Sequence, residues 1–169
     1  MRQQFRVSKQ MRSRNTLTAA KAQIAAGRNV ILTYGIGEGG RCSCKRDDCP
    51  SPGKHPLSNF FPNGVNSATD DIALVQKALR RHPNANLAIS LAGLTVVDVD
   101  GDEGRAAVKQ LDLPDTVKVF TGRGYHLYFK GEIAEGTFKG EKVDVLTAGN
   151  KMLMVPPSTH PSGKLYRYS

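Results

Sequence analysis

The chain has 169 residues, 39% of them hydrophobic, with 24 Lys and Arg against 15 Asp and Glu, for a formal net charge of +9. This length and apolar content supply the core of one domain, which argues against a disordered chain or a disulfide-stapled miniprotein. No apolar run is long enough to span a membrane and no secretory signal opens the chain, so a cytoplasmic protein with a polyanionic partner and no membrane is expected.

Residues 1–15 hold Arg2, Arg6, Lys9, Arg12 and Arg14 and no acid. They read as a flexible basic arm able to touch phosphates, with one domain over residues 16–169. Thr16 can cap a helix to about Ala26, with Leu17, Ala20 and Ile24 on one face and Gly27 as its stop. Val30 to Tyr34 reads as a strand. The Gly-, Cys- and Pro-rich stretch from Gly35 to about Gly64 is too long for a bare loop in a compact domain, so something must order it.

That stretch contains Cys42-x-Cys44-x4-Cys49-x5-His55, which includes every cysteine of the chain. Three thiolates and an imidazole close a tetrahedral Zn²⁺ site with no open position, so a structural zinc segment at about 41–56 is expected. The C-x-C spacing is tighter than usual, and a water, Asp47 or Asp48 are alternatives to His55 as the fourth ligand. Free thiols are the plainer alternative. An odd cysteine count argues against a disulfide framework.

Thr69, Asp70 and Asp71 open a second helix with Ile72, Val75 and Leu79 inward, ending before Pro83. Leu87 to Leu91, a turn at Ala92-Gly93, and Leu94 to Val99 read as a hairpin, followed by a short helix from about Glu103 to Leu111. Later strands are expected at Val117–Thr121, Tyr125–Lys130, Val143–Leu146, Lys151–Val155 and Leu165–Tyr168. Early helices and late strands give an α+β fold with a mostly antiparallel sheet.

Three acidic positions sit inside strand-like runs. In Leu94 to Gly101, strand alternation puts Val97 and Val99 on one face and Asp98 and Asp100 on the other. Paired carboxylates at a strand end repel unless a cation lies between them, and oxygen ligands favour Mg²⁺ or Mn²⁺. The plainer alternative is a strand that runs into a solvated acidic turn. Asp144 in Val143 to Leu146 is a third such carboxylate. Between them, Thr121 to Phe129 forms a glycine turn opening into a strand. Gly122 and Gly124 there allow positive φ and close approach to a ligand, and Arg123 and His126 can meet a phosphate. A plain hairpin turn with a half-buried histidine is the alternative there, and an ordinary strand with a solvated face is the alternative for Asp144.

The order of these segments resembles the prim-pol branch of the archaeo-eukaryotic primase superfamily, the bifunctional DNA primase/polymerases often carried by plasmids and phages. Val96-Val97-Asp98-Val99-Asp100-Gly101 is similar to its first motif, Thr121 to His126 to its second, and Val143-Asp144 to its third. Gly53-Lys54-His55-Pro56, Asn84 to Ser90, and Pro156-Pro157-Ser158 resemble further family segments. The resemblance covers about Val30 to Ser169.

It implies an RRM-like, mostly antiparallel sheet packed with a second α/β unit, to which the cysteine spacing adds a small N-terminal zinc-binding insertion. It also implies that Asp98, Asp100 and Asp144 hold two Mg²⁺ or Mn²⁺ ions and that His126 contacts the triphosphate. Arg123, Gly122, Gly124, Thr121 and Lys54 complete the implied nucleotide site. The implied activity is template-directed addition of dNTP or NTP to a 3′-hydroxyl. Single-stranded DNA or a primer-template is the implied partner, in replication of a mobile element or phage, with a helicase as a possible further partner. Two other readings compete. One is an inactive zinc-containing nucleic-acid-binding module of a replication initiator. The other is a nuclease on the same carboxylates, for which no residue stands out as the base.

Overall fold

A computed structural model describes residues 8–133, 142–147, 149 and 151–169. Among the described residues the elements run α1 (Lys9–Ala25), β1 (Val30–Thr33), α2 (Ile72–Arg81), β2 (Asn86–Ser90), β3 (Leu94–Asp100), α3 (Gly101–Lys109), β4 (Val117–Phe120), β5 (Gly124–Lys130), β6 (Val143–Leu146), β7 (Met152–Val155) and β8 (Arg167–Tyr168). The strands form two sheets, β1-β2-β7 and β6-β3-β5-β4-β8, and all their pairings are antiparallel. The fold is α+β.

Helix starts follow the side chains that satisfy the first free N–H groups. Ser8 caps α1 by accepting a hydrogen bond from the Met11 N–H. The helix therefore begins at Lys9 and not at Thr16, which is buried inside it. Residues 8–15 of the expected basic arm are cap and helix, and residues 1–7 lie outside the described residues. Asp71 caps α2 by accepting from the Ala73 and Leu74 N–H groups, while Thr69 accepts from the N–H of Asp71 itself. Arg80 and Arg81 in the last turn suit the helix dipole. Helix α3 leaves β3 directly at Gly101, two residues before the expected Glu103, and Asp102 and Glu103 occupy its first turn.

The expected hairpin between β2 and β3 does not form. Ala92-Gly93 does turn the chain, with Gly93 at φ +73° and the Leu94 N–H on the Leu91 carbonyl at 3.0 Å. Each strand then takes other partners. β2 lies between β1 and β7, and β3 lies between β5 and β6. Asn86 to Ile89 are buried at every position, as befits a strand covered on both faces rather than one half of an exposed ribbon.

Two apolar clusters result, and β3 contributes to both. Leu94 and Val96 pack into the larger one with Ile31, Leu32, Leu87, Ile89, Val75 and Leu79. Val97 and Val99, on the opposite face, pack with Leu127, Val143 and Val108 of α3. The even-numbered face of β3 leaves the larger core at Asp98.

At that end β3 and β5 come very close. Asp100 pairs with Gly124, and a Cβ at Gly124 would overlap the Val99 carbonyl. Gly124→Ala is expected to wedge the strands apart and lower the unfolding free energy by about 1–3 kcal/mol. Urea titration at constant m-value measures it, and an unchanged midpoint would contradict the close approach.

Candidate active site

Residues directly opposite one another in neighbouring strands share a face of the sheet. Asp98 in β3 is opposite His126 in β5 and Asp144 in β6. The three therefore form a row across the sheet, with Asp100 two residues further along the same face. His126 Nε2 lies 3.4 Å from Asp98 Oδ1, and Arg123 Nη2 lies 3.2 Å from Asp100 Oδ2. The imidazole is 6% exposed and the Asp98 side chain 30%, so the row ends in a wall rather than on an open surface. Asp144 at the other end is exposed.

Burial pushes the Asp98 carboxyl up to about 6, and the charges of Asp100 and Asp144 push the same way, against Lys54 and Arg123. Burial pushes His126 down to about 4, helped by Lys54 and opposed by Asp100. At neutral pH the imidazole is uncharged, so its contact with Asp98 is not an ion pair. Its Nδ1 is buried and has no hydrogen-bond partner among the described residues.

The turn between β4 and β5 differs from the sequence expectation. Neither Gly122 nor Gly124 adopts positive φ. Each is needed because protein comes close: a Cβ on Gly122 would overlap the His160 ring, and one on Gly124 the Val99 carbonyl. The Thr121 hydroxyl accepts from the Arg123 and Gly124 N–H groups at 3.3 and 3.0 Å, so it shapes the turn that presents Arg123.

Sequence reasoning missed two neighbours of this turn. His160 packs on Gly122, and Lys164 Nζ donates to the Gly122 carbonyl at 3.2 Å. Both flank a tight turn after β7, closed by the His160 N–H on the Lys164 carbonyl. Tyr166 stands between the two histidines, its ring 6.1 Å from that of His126 and 6.0 Å from that of His160. Their only signal was position: His160 lies two residues beyond Pro156-Pro157-Ser158. The charge of Lys54, which projects from the irregular segment after β1, acts on Asp98, His126 and His160 alike. Carboxylates thus sit beside a basic rim of Lys54, Arg123 and Lys164.

The ligand atoms of Cys42, Cys44, Cys49 and His55 all lie within 4.8 Å of one another. His55 Nε2 is 3.3 Å from Cys42 Sγ and 3.5 Å from Cys49 Sγ. A tetrahedral ion with ordinary Zn–S and Zn–N bonds sets such edges at about 3.6 Å, so the four residues are compatible with zinc. Burial and the Arg46 charge depress the His55 titration, favouring the neutral imidazole that binds metal. Tyr34 covers that ring at 4.6 Å.

The three aspartates are arranged differently. They are held as strand neighbours, and among the described residues it is the cysteine group that is drawn within 4.8 Å. Burial first raises the Asp98 carboxyl, and the repulsion of Asp100 and Asp144, which adds to it, is what a cation would relieve.

Residues 19–169 match the family model described as bifunctional DNA primase/polymerase, N-terminal. Neither a curated protein nor a solved structure matches the chain.

Binding a cation at Asp98 requires its carboxyl to lose a proton. Since that carboxyl titrates at about 6, Mg²⁺ or Mn²⁺ affinity is expected to fall as pH drops through 6 and to level off above it. The slope below 6 is roughly tenfold per pH unit for one displaced proton. His126, at about 4, stays uncharged over most of this range and adds no opposing slope. Calorimetric Mn²⁺ titrations across this range measure it, and a flat profile would remove Asp98 from the ligands.

Proposed function

Since this chain belongs to the bifunctional DNA primase/polymerase family, we propose that it is a template-directed nucleotidyltransferase that joins nucleotides to a 3′-hydroxyl by two-metal phosphoryl transfer. The observation that carries the reading is the row Asp144–Asp98–His126 with Asp100 beside it. It unites three carboxylates and an uncharged imidazole on one face, next to a basic rim. The spatial order β6-β3-β5-β4, with α3 following β3, supports an RRM-like reading of this sheet.

Asp98, Asp100 and Asp144 would hold two Mg²⁺ or Mn²⁺ ions. When bound, these supply the Lewis acidity that makes a 3′-hydroxyl nucleophilic at neutral pH and that stabilises departing pyrophosphate. The chain's own groups do the positioning. With its Nδ1 buried, uncharged His126 would turn Nε2, now 3.4 Å from Asp98 Oδ1, to a triphosphate oxygen. Arg123 and Lys54 offset phosphate charge arriving beside three carboxylates. Thr121, Gly122 and Gly124 set the turn from which Arg123 reaches. The hydroxyl oxygen attacks the α-phosphorus, its proton goes to solvent, and the bond to pyrophosphate breaks. No side-chain base is required. The Cys₃His group serves as a structural zinc site.

The net charge of +9 favours a DNA partner, and it also motivates the second reading, a binding module without catalysis. The two separate in one assay, incorporation of labelled dNTP with Mn²⁺ on primed template and on unprimed single strand. The expected result is extension that Asp98→Ala/Asp100→Ala lowers about a thousandfold, roughly 4 kcal/mol of transition-state stabilisation. Extension unaffected by the double substitution would sink the enzyme reading. A folded, zinc-loaded protein that binds DNA in a salt-dependent way but makes no product would support the binding module.

A further inference from the structure

Lys54 lies between two residues that the cysteine group holds. On its C-terminal side is His55, a member of that group, whose carbonyl accepts the Tyr34 N–H at 3.0 Å. On its N-terminal side is Gly53, whose N–H donates to Cys42 Sγ at 3.4 Å. The Gly53 carbonyl accepts from Thr33 Oγ1 at 2.8 Å and from Asn86 Nδ2 at 3.1 Å. Gly53 has φ +72°, and a Cβ there would come within 2.7 Å of Ile36 Cδ1 and 3.2 Å of Asn86 Nδ2. Its backbone is fixed at both polar groups, and no other residue fits the position without displacing a neighbour.

The buried Asn86 amide also holds a second segment. Its Nδ2 donates to the Thr159 carbonyl and its Oδ1 accepts the Thr159 N–H, both at 2.9 Å. Thr159 precedes His160 as Gly53 precedes Lys54. One amide thus ties together the backbones that carry Lys54 and His160 to the mouth of the aspartate row.

We infer that the Cys42, Cys44, Cys49 and His55 group is a positioning device for the active site. Closed around zinc, it holds the backbone on both sides of Lys54 so that the ammonium meets the triphosphate of an incoming nucleotide, and Asn86 locks that backbone to the His160 turn. This goes beyond a stabilising role for zinc and rests on the nucleotidyltransferase reading above. Asn86 is a positioning residue, since its contacts are to backbone and not to substrate.

The test is calorimetric binding of dATP with Mg²⁺ to the full chain, zinc-loaded and zinc-stripped, with zinc content and circular dichroism recorded for each variant. Lys54→Met is expected to weaken dATP about tenfold, and Lys54→Arg to regain most of the loss. Stripping zinc from the unsubstituted chain should weaken binding by a similar factor, yet add nothing in Lys54→Met. The inference is overturned if stripping leaves binding unchanged, or weakens Lys54→Met as much as the unsubstituted chain.

Should stripping unfold the protein, Asn86→Ser in the zinc-loaded state carries the test. Its loss of affinity should vanish in the Lys54→Met background, whereas losses that simply add overturn the coupling. Binding that ignores Lys54 but requires Asp98 would end this inference and leave the polymerase reading standing. A loaded, folded chain that binds no dATP would end both.

Discussion

Everything at this site depends on β3 serving two cores at once. A strand's side chains alternate, so the two faces of β3 meet different neighbours. Val97 and Val99 are committed to the α3 side and Leu94 and Val96 to the larger core. The same alternation puts Asp98 and Asp100 on the face that has just emerged from the larger core. They cannot slip by one residue without burying two carboxylates among valines and exposing those valines to water. The register with β5 and β6 then brings His126 and Asp144 alongside Asp98. The apolar residues set the geometry that the polar ones use.

This placement has a cost in stability, with a definite pH signature. Asp98 titrates at about 6 against an ordinary 3.8, so the folded state loses stability as pH rises through that window. His126 titrates at about 4 against an ordinary 6.5, so the folded state loses stability as pH falls from 6.5 toward 4. The two slopes oppose one another over most of their shared range. The pH dependence of folding over that range is therefore shallower than either group alone would give. Both shifts come first from burial, which is also what gives a site a low dielectric and strong electrostatic interactions.

The irregular segment between β1 and α2 is held by apolar packing and by polar contacts. Leu57 and Phe61 anchor one end of it in the larger core. Gly53, Thr33, Asn86 and the sulfur of Cys42 form a buried hydrogen-bond cluster at the other. Leaving one such buried partner unsatisfied costs about 1–3 kcal/mol, so the cluster specifies one backbone path where few side chains are apolar. Ser158 does the same for the segment after β7, accepting the Leu87 N–H and donating to the Leu87 carbonyl at 2.9 and 2.8 Å. Adjacent residues of β2 thus hold the segments leading to both Lys54 and His160.

Features that depend on near neighbours along the chain are legible in the residues alone. Alternation in Leu94 to Asp100 placed both aspartates on one face. The spacing Cys42, Cys44, Cys49, His55 named a four-ligand set that folds together. Apolar periodicity located α2, and the ordered motifs pointed to a family that residues 19–169 match. Features that depend on residues far apart follow from the folded arrangement. It separated β2 from β3 although a turn joins them, pairing β2 with β1 and β7 and β3 with β5 and β6. It gave Gly122 and Gly124 the task of admitting His160 and the Val99 carbonyl, and brought Lys164 and Asn86 to the site. Local spacing limits where a side chain can point, but what it faces depends on strand pairing and burial between residues dozens of positions apart, and no short stretch of sequence carries that information.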